Sequence, residues 1–396
     1  MENPIFIPKL IQNEAGFVDK IKLPAILMDA NIVAFSPKIS GKIRASADSF
    51  IINPVTNFFV ENSFIGKKAF KKLPTAPAKP YRVEELLTNE KLRRDELVWK
   101  NIEYQINNKA NIIIIPYIYS DSINDSKFGI NLSMISDALK LLKVNKINIP
   151  AYAMINMGSS VLNDFTGLNN LIERYRDDFN DKINGFFMMF DGFDCRKAVD
   201  DSLMGLAYLT FYLSENKNTF ILNLGDFGDV LCAIGARGYS SSLGGGEIFN
   251  VEKLSKETKS RGRNHKIFSY VPEVFDYLNN ESLRKIGYKC PCSICDNGIP
   301  NGWNNAKAHF LNRKLERMDN LANLNRDQRI DFIKLKIEQA VELISVYNAN
   351  FALSIKTDFL LRWKNVLEKS RHWSYSKRET EAVDLDKIIE EARKNK

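Results

Sequence analysis

The sequence predicts a (β/α)8 barrel, an α/β fold in which eight parallel strands form a closed sheet surrounded by helices. Three observations predict it. The chain has 396 residues, and such a barrel fills about 250 of them as one domain. The apolar runs are continuous, which indicates strands buried on both faces. Helical patterns separate these runs. A doubly wound open sheet is the alternative, although the sequence contains no GxGxxG motif at its start and no Walker A motif.

Seven apolar runs are predicted to be strands. In chain order they are residues 25–28, 50–52, 112–115, 149–157, 185–190, 219–224 and 238–243. Polar residues follow several of them directly, such as Asp29 after the first and Asp191 after the fifth. Because active sites of such barrels lie at the carboxyl ends of the strands, these polar residues are the first candidates for function.

Helical patterns lie between and after these runs. Residues 203–213 are apolar nearly all round, which predicts a buried helix. Asp226 precedes a short helix that it can cap, and Gly235 suits the end of that helix. A helix is predicted over 305–318, and a long one follows Asp327. An apolar stripe predicts one more helix, with Met134, Ile135, Ala138, Leu139 and Leu142 on one face.

The composition is that of a soluble globular protein. Hydrophobic residues make up 44% and charged residues 26% of the chain. No apolar run approaches the roughly 20 residues that span a bilayer, and the start lacks the pattern of a secretory leader, so we expect a cytoplasmic protein without a membrane partner. The net charge of +8 indicates affinity for a polyanion or a bias towards lysine. The basic stretches 67–72 and 253–266 are predicted to flank the barrel mouth.

The cysteines predict a metal site. Three of the five lie in Cys290-Pro-Cys292-Ser-Ile-Cys295, a spacing that brings three thiolates close enough to share a tetrahedral ion. Zinc suits such ligands and needs a fourth. His309 is the first candidate, and Cys195, Cys232 and His265 are alternatives. An Fe–S cluster would require a fourth cysteine.

The metal motif divides the chain into four predicted parts. Residues 1–285 form the barrel, 286–327 a zinc-binding subdomain, 328–370 helices that pack on the barrel, and 371–396 a charged tail in the form of a helix or a frayed end.

Polar side chains at the predicted strand ends are candidates for catalysis and substrate binding. Asp29, Asp191 and Asp194 are the candidate catalytic carboxylates, because a carboxylate after an apolar strand is costly to bury without a partner. Asp191 and Asp194 lie three residues apart and are expected to face one site. The candidate substrate-binding residues are Asn53, Asn156, Tyr239, Ser240, Gly244, Gly245 and Glu247.

A barrel followed by CxCxxC and a downstream histidine resembles the tRNA-guanine transglycosylases. The stretch Pro24-Ala25-Ile26-Leu27-Met28-Asp29 is similar to the family's strand that ends in a substrate-site aspartate. The stretch 50–60, FIINPVTNFFV, resembles a family strand that ends in Asn before an aromatic pair. The chain departs from the family in two places. The family's zinc histidine lies farther from its third cysteine than His309 does, and Ser240 stands where the family has its nucleophilic aspartate.

The resemblance implies a zinc-containing barrel that exchanges guanine for a 7-deazaguanine base in nucleic acid. Asp29 would serve as acid or base and Asp191 or Asp194 as nucleophile. The same resemblance allows a binding module that has lost the nucleophile and recognises a deazaguanine in tRNA, in DNA or on a protein. Divergent members occur in DNA-modification and anti-phage defence clusters, which implies such a setting. An unrelated zinc-stabilised barrel enzyme is a third hypothesis, and whether the chain forms a homodimer stays open.

Overall fold

Eight strands of the chain form a closed parallel barrel. The computed structural model describes residues 3–11, 14, 18, 21–61, 73–179, 182–244, 248–251 and 266–394. Each strand pairs with the next in chain order, and the first pairs with the last through Ile5 opposite Gly238 and Lys9 opposite Ser242. The predicted (β/α)8 fold is confirmed.

Each of the seven predicted runs overlaps a strand, and one further strand precedes them. The barrel strands are β1 Ile5–Lys9, β2 Ile26–Asp29, β3 Phe50–Asn53, β4 Ile112–Ile114, β5 Ala151–Gly158, β6 Gly185–Asp191, β7 Asn218–Ile221 and β8 Gly238–Ser242. A separate antiparallel hairpin consists of β9 Phe268–Val271 and β10 Asp276–Asn279. The sequence did not predict β1, because its apolar run Ile5–Ile7 is followed directly by Pro8 and Lys9.

Helices follow the strands and continue beyond the barrel. They are α1 Ala30–Phe35, α2 Pro37–Ala45, α3 Val83–Thr88, α4 Arg93–Asn107, α5 Ser126–Val144, α6 Phe165–Ile172, α7 Asp200–Leu213, α8 Phe227–Ile234, α9 Asn280–Lys285, α10 Trp303–Ala322, α11 Arg326–Phe351, α12 Asp358–Ser370 and α13 Arg378–Lys394. None of the described helices combines the length and hydropathy that a bilayer span requires.

The alternation of side chains along the strands divides the core into two clusters. The smaller cluster fills the barrel and includes Ile7, Leu27 and Phe187. The larger cluster contains the side chains of opposite parity, such as Phe6 and Met188, which pack against the helices. The inward-facing positions of the smaller cluster continue to the carboxyl ends of the strands. Side chains at these last inward positions therefore point into the barrel mouth.

The last helix, α13, packs against α6. The Asp386 carboxylate of α13 accepts hydrogen bonds from the Phe165 and Thr166 backbone N–H groups, both at 3.0 Å, and from the Thr166 hydroxyl at 2.7 Å. These N–H groups belong to the first turn of α6, where a helix has unpaired donors and attracts negative charge. Part of the predicted charged tail is thus a helix that caps another helix.

We expect Asp386→Ala to lower the free energy of unfolding by about 1–2 kcal/mol, the usual effect of removing a helix cap. Urea unfolding monitored by circular dichroism measures this. Asp384→Ala is the matched control, because Asp384 lies exposed on the same helix. Equal stability of the two variants would contradict the capping role.

Candidate active site and metal centre

A ring of polar side chains lines the carboxyl end of the barrel. Beyond the apolar interior, the next inward positions on six strands are polar, namely Lys9, Asp29, Asn53, Asn156, Asp191 and the pair Ser240 and Ser242. Strand register supports this placement, since Ser240 lies opposite Ile7 and Asn156 lies opposite Met189. The structure therefore brings Asp29, Asn53, Asn156, Asp191 and Ser240 of the predicted site to one end of the barrel.

The ends of the first four strands are joined by a chain of polar contacts. Lys9 Nζ lies 3.1 Å from Asp29 Oδ2, and Asn53 Nδ2 donates to Asp29 Oδ1 at 2.8 Å. The Tyr117 hydroxyl donates to Asn53 Oδ1 at 2.7 Å. Burial and the nearby Asp29 carboxylate raise the pKa of Tyr117, so this hydroxyl stays protonated. The chain of contacts fixes the orientation of the Asp29 carboxylate, and the sequence analysis did not identify Lys9 as its partner.

Asn156 is a buried amide without partners in the described residues. It is fully buried on β5, and neither its Oδ1 nor its Nδ2 makes a hydrogen bond. The Ser240 Oγ is also fully buried and has no partner within the same described part of the chain. These two side chains therefore have hydrogen-bonding capacity left for a ligand. Because unpaired buried polar atoms are destabilising, a ligand that bonds to them would offset this cost.

Asp191 is in contact with a segment from the connection that follows β8. Its Oδ1 accepts a hydrogen bond of 2.6 Å from the Val251 backbone N–H. The neighbouring Gly192 N–H donates to the Phe249 carbonyl at 2.8 Å. Phe249 itself packs against the apolar cluster inside the barrel, and its ring centroid lies 6.4 Å from that of Tyr119. Residues 248–251 thus cover the mouth on the Asp191 side.

The two hydrogen bonds that hold this segment differ in kind. The Gly192–Phe249 bond joins main-chain atoms, so it does not depend on the side chain at either position. The Val251–Asp191 bond, in contrast, occupies a carboxylate oxygen of the predicted site. A further N–H donor would either use the remaining acceptor positions of the carboxylate or replace the Val251 N–H.

Asp194 does not share a partner with Asp191 in these contacts. Its Oδ1 accepts from the Arg196 backbone N–H at 3.1 Å, and its Oδ2 lies 3.1 Å from the exposed Lys197 ammonium. Asp194 instead borders a cavity of about 220 Å³ beside the mouth, together with Asn223 and Lys314. The expected pairing of the two carboxylates is not seen, because each is held by its own local donors.

Tyr239 lies on the outer face of β8. Its side chain is fully buried, and its hydroxyl donates to Asp229 of α8 at 2.6 Å. Burial, with Asp229 and Asp226 nearby, raises the pKa of Tyr239 well above its usual value. The structure therefore places Tyr239 between the barrel and its helices, apart from the polar ring.

Asp226 and Asp229 share one buried cation. The Lys314 ammonium of α10 forms an ion pair with Asp226 and lies 3.4 Å from Asp229 Oδ2. The Tyr270 hydroxyl donates to Asp226 at 2.9 Å. Asp226 occupies the position before α8 but makes no capping hydrogen bond with its side chain. The predicted cap is wrong, because Lys314 and Tyr270 hold the carboxylate instead.

The glycine-rich stretch is described only in part. Gly244 is exposed in a turn, and a side chain added there would meet no atom of the described residues within 4 Å. The predicted residues Gly245 and Glu247 lie outside the described residues, as do the basic stretches 67–72 and 253–265 and the alternative metal ligand His265.

The three clustered cysteines and His309 form a buried group that could hold a metal ion. Their ligand atoms all lie within 4.8 Å of one another. His309 Nδ1 lies 3.6, 3.4 and 3.2 Å from the sulfurs of Cys290, Cys292 and Cys295. A tetrahedral zinc with its usual bond lengths requires about 3.5 Å between nitrogen and sulfur ligands. The donor set therefore fits such an ion, and His309 is the fourth member among the described residues.

The orientation of His309 is set by the hairpin that follows the barrel. His309 Nε2 lies 2.7 Å from the Tyr270 carbonyl oxygen of β9, to which it donates its proton. This hydrogen bond leaves the Nδ1 lone pair directed at the sulfurs, as in histidine ligands held by a backbone carbonyl. Cys195 and Cys232 are buried elsewhere and do not belong to the group.

Comparisons with known proteins do not extend these observations. No protein-family model matches the chain, and no curated protein matches it. Among solved structures, a Burkholderia cenocepacia J2315 protein assigned as a phosphonomutase is similar over 61% of this chain and 88% of its own, at 10% identity and a TM-score of 0.37. An endo-β-1,6-glucanase is similar over 63% of this chain and 70% of its own, at 8% identity and a TM-score of 0.36. At these scores neither structure informs the chemistry of this chain.

Proposed function

We propose that the barrel mouth binds a guanine or 7-deazaguanine base, as in the transglycosylases that the sequence resembles. The observation that carries this proposal is the Asn156 amide, which is fully buried inside the mouth without a partner among the described residues. An unpaired buried polar group costs about 1–3 kcal/mol, and a ligand with complementary groups recovers this energy. Asn156 can donate to the base carbonyl and accept from an N–H group.

If the site only binds the base, Asp191 is the proposed partner of the N–H groups on the guanine edge. A carboxylate that accepts two adjacent N–H groups forms short charge-assisted hydrogen bonds. The carboxylate already accepts one such donor, the Val251 N–H at 2.6 Å. The base would replace this donor and occupy the space beside Phe249.

For base exchange, we assign the acid or base role to Asp29 and the nucleophilic role to Asp191, whose carboxylate then faces the anomeric carbon and leaves the base edge to Asn156. The Asp191 carboxylate would attack the anomeric carbon as the bond to the base breaks, and the departing base would take one proton from the Lys9–Asp29 pair, leaving a glycosyl ester on the protein. An incoming deazaguanine would then attack the same carbon, return a proton to the Lys9–Asp29 pair and release the Asp191 carboxylate. Lys9 and Asn53 support this role because they hold the Asp29 carboxylate in one orientation.

A binding module without catalysis is the second candidate. The observation that favours it lies on β8, where the inward positions carry Ser240 and Ser242 and no carboxylate. Such a protein would recognise a deazaguanine in tRNA, in DNA or on a protein. A DNA-modification or anti-phage setting fits either candidate.

Intact-mass spectrometry distinguishes the two candidates. The protein is incubated with tRNA or DNA that contains guanine or a 7-deazaguanine base, denatured and weighed. Exchange predicts a covalent nucleic-acid adduct that disappears in Asp191→Asn. A binding module predicts retention of the nucleic acid under native conditions and no adduct.

If the site only binds the base, we expect Asp191→Asn to weaken binding of 7-deazaguanine by about 1.5–3 kcal/mol, the range for a hydrogen bond to a charged group. The substitution keeps the size of the side chain but removes its charge and replaces one acceptor by a donor. Isothermal titration calorimetry measures the change, while circular dichroism and metal content are expected to stay unchanged.

The matched control is Asp194→Asn, because Asp194 lies three residues away and is held by Lys197 and the Arg196 N–H. We expect this variant to bind 7-deazaguanine like the unmodified protein. Unchanged binding in Asp191→Asn would remove Asp191 from the base site, whereas loss of folding would identify it as a structural residue.

For the metal centre, we infer that Cys290, Cys292, Cys295 and His309 bind one zinc ion. Three thiolates and one imidazole complete a tetrahedral site with no position left for water, which is typical of a structural site. Elemental analysis of the purified protein is expected to give one zinc per chain. A different metal at full occupancy would overturn the assignment.

A further inference from the structure

A second cavity lies on the far side of the metal-binding helix. It has a volume of about 550 Å³ and lies between α10, α11 and the turn of the β9–β10 hairpin. This volume is within the range of about 300–1,000 Å³ that is typical of small-molecule sites. Phe332 and Leu343 of α11 contribute an apolar wall. The cavity has no role in the function proposed for the barrel mouth.

Arg317 is the most deeply placed charge in this cavity. Its side chain is 8% exposed. Its guanidinium carbon lies 4.8 Å from the centre of the Phe275 ring, and its Nη2 donates to the Pro272 carbonyl at 3.2 Å. Its Nη1 is buried and has no partner, and no carboxylate of the described residues forms an ion pair with it. Arg317 is therefore a fixed cation with an unused donor.

A second unused donor lies one turn earlier on the same helix. Arg313 Nε is buried without a partner in the described part of the chain, although the outer nitrogens of this side chain bind Glu273 and Glu316. Residues four apart lie on the same face of a helix, and both arginines line the cavity. Lys336 adds a further cation, which donates to the neutral Gln339 side chain at 3.1 Å.

The acidic residues of the cavity lie at its rim. The Glu273 and Glu316 side chains are 42% and 51% exposed, and Glu342 is also exposed. An extended polyanion such as a nucleic-acid strand would bring several phosphates against these carboxylates. A single compact anion can instead reach the arginines while its apolar part contacts Phe332 and Leu343.

We propose that this cavity binds a small amphiphilic anion, with a carboxylate or phosphate group on Arg317 and Arg313 and an apolar body against α11. The planar guanidinium group suits either anion, since both accept paired N–H donors. Binding measurements with one compound of each kind distinguish a carboxylate ligand from a phosphate ligand.

Isothermal titration calorimetry of the full chain with benzoate and with phenyl phosphate tests the proposal, and benzyl alcohol serves as the neutral analogue. We expect at least one anion to bind about tenfold more tightly than benzyl alcohol, because a hydrogen bond to a charged group is worth about this factor or more. The preferred anion identifies the carboxylate or the phosphate class. Equal binding of all three probes, or no binding of either anion, would overturn the proposal.

Three variants locate the anion. Arg317→Gln is expected to weaken binding about tenfold or more, and Arg317→Lys to retain part of it because the charge remains. Glu342→Gln is expected to strengthen binding at low salt, since it removes a repulsive charge from the rim. Arg284→Gln, an exposed arginine outside the cavity, is the matched control. If Arg317→Gln does not fold, the other two variants test the site. Weaker anion binding in Arg317→Lys together with stronger binding in Glu342→Gln supports it, and changes of affinity in the same direction exclude it.

Discussion

Replacing Cys292 with serine is expected to remove the proposed zinc ion and to lower the free energy of unfolding by roughly 4 kcal/mol or more, an effect of the size seen when a metal site is lost. Cys292 is buried, and its sulfur lies 3.4 Å from His309 Nδ1. Its carbonyl also accepts hydrogen bonds from the Cys295 and Asp296 N–H groups. Without the ion, three buried polar ligand groups would remain close together without compensation.

Elemental analysis and urea unfolding measure this effect. Cys232→Ser is the control, because Cys232 is a fully buried cysteine outside the metal group. It makes the same chemical change in the core and is expected to cost about 1–3 kcal/mol with the metal retained. If Cys292→Ser kept its zinc and unfolded like the unmodified protein, the proposed ligand set would be wrong.

The second large effect is expected for Lys314→Met. Lys314 is 2% exposed on its side chain and is shared by Asp226 and Asp229, which are 5% and 0% exposed. Removing one partner of a buried ion pair costs about 3–5 kcal/mol because the other charge stays buried. We expect a loss of this size at neutral pH, measured by urea unfolding.

The pH dependence of this loss follows from the Asp226 carboxyl. Burial by itself raises its pKa, but the charges of Lys314 and Arg196 outweigh burial and hold the pKa below its usual value. A group with a depressed folded pKa contributes stability above its unfolded pKa of about 3.9, and this contribution is lost as the pH falls through the folded pKa. In Lys314→Met the Asp226 carboxyl keeps only the longer ion pair with Arg196, at 3.6 Å, so its protonation gives up less than in the unmodified protein. The stability difference between the two proteins should therefore shrink below about pH 4.

Lys334→Met is the matched control for Lys314→Met. Lys334 pairs with Glu368 at 2.8 Å, and both side chains are partly exposed. Such pairs contribute about 0–1 kcal/mol, so this variant is expected to unfold nearly like the unmodified protein. A similar loss in both variants would indicate that the lysine stems, and not the buried charge, account for the effect.

The fold was predictable where a local pattern determines the structure. The run 185–190 predicted β6 because a parallel strand is buried on both faces and is therefore continuously apolar. The three cysteines were predictable for a similar reason, since their spacing alone brings them together. The first strand was missed because Pro8 and Lys9 directly follow its apolar run Ile5–Ile7.

The site was less predictable because it depends on register and on distant partners. Tyr239 and Ser240 are neighbours in sequence, yet they face opposite sides of β8, and only the closure of the barrel decides which side faces the mouth. The partner of Asp226 is Lys314, 88 residues away. No local pattern connects two residues at that distance.

The hydrogen bond from Val251 to Asp191 has a consequence for every affinity measured at the mouth. A base that replaces the Val251 N–H on Asp191, as proposed above, also has to displace the segment that contains Phe249. The observed dissociation constant is then the intrinsic one divided by the fraction of molecules in which this segment is displaced. A free base and a base attached to a polymer carry the same factor, so the segment lowers both affinities without changing their ratio. Variants that loosen residues 248–251 would therefore raise the affinity for every such ligand by one common factor.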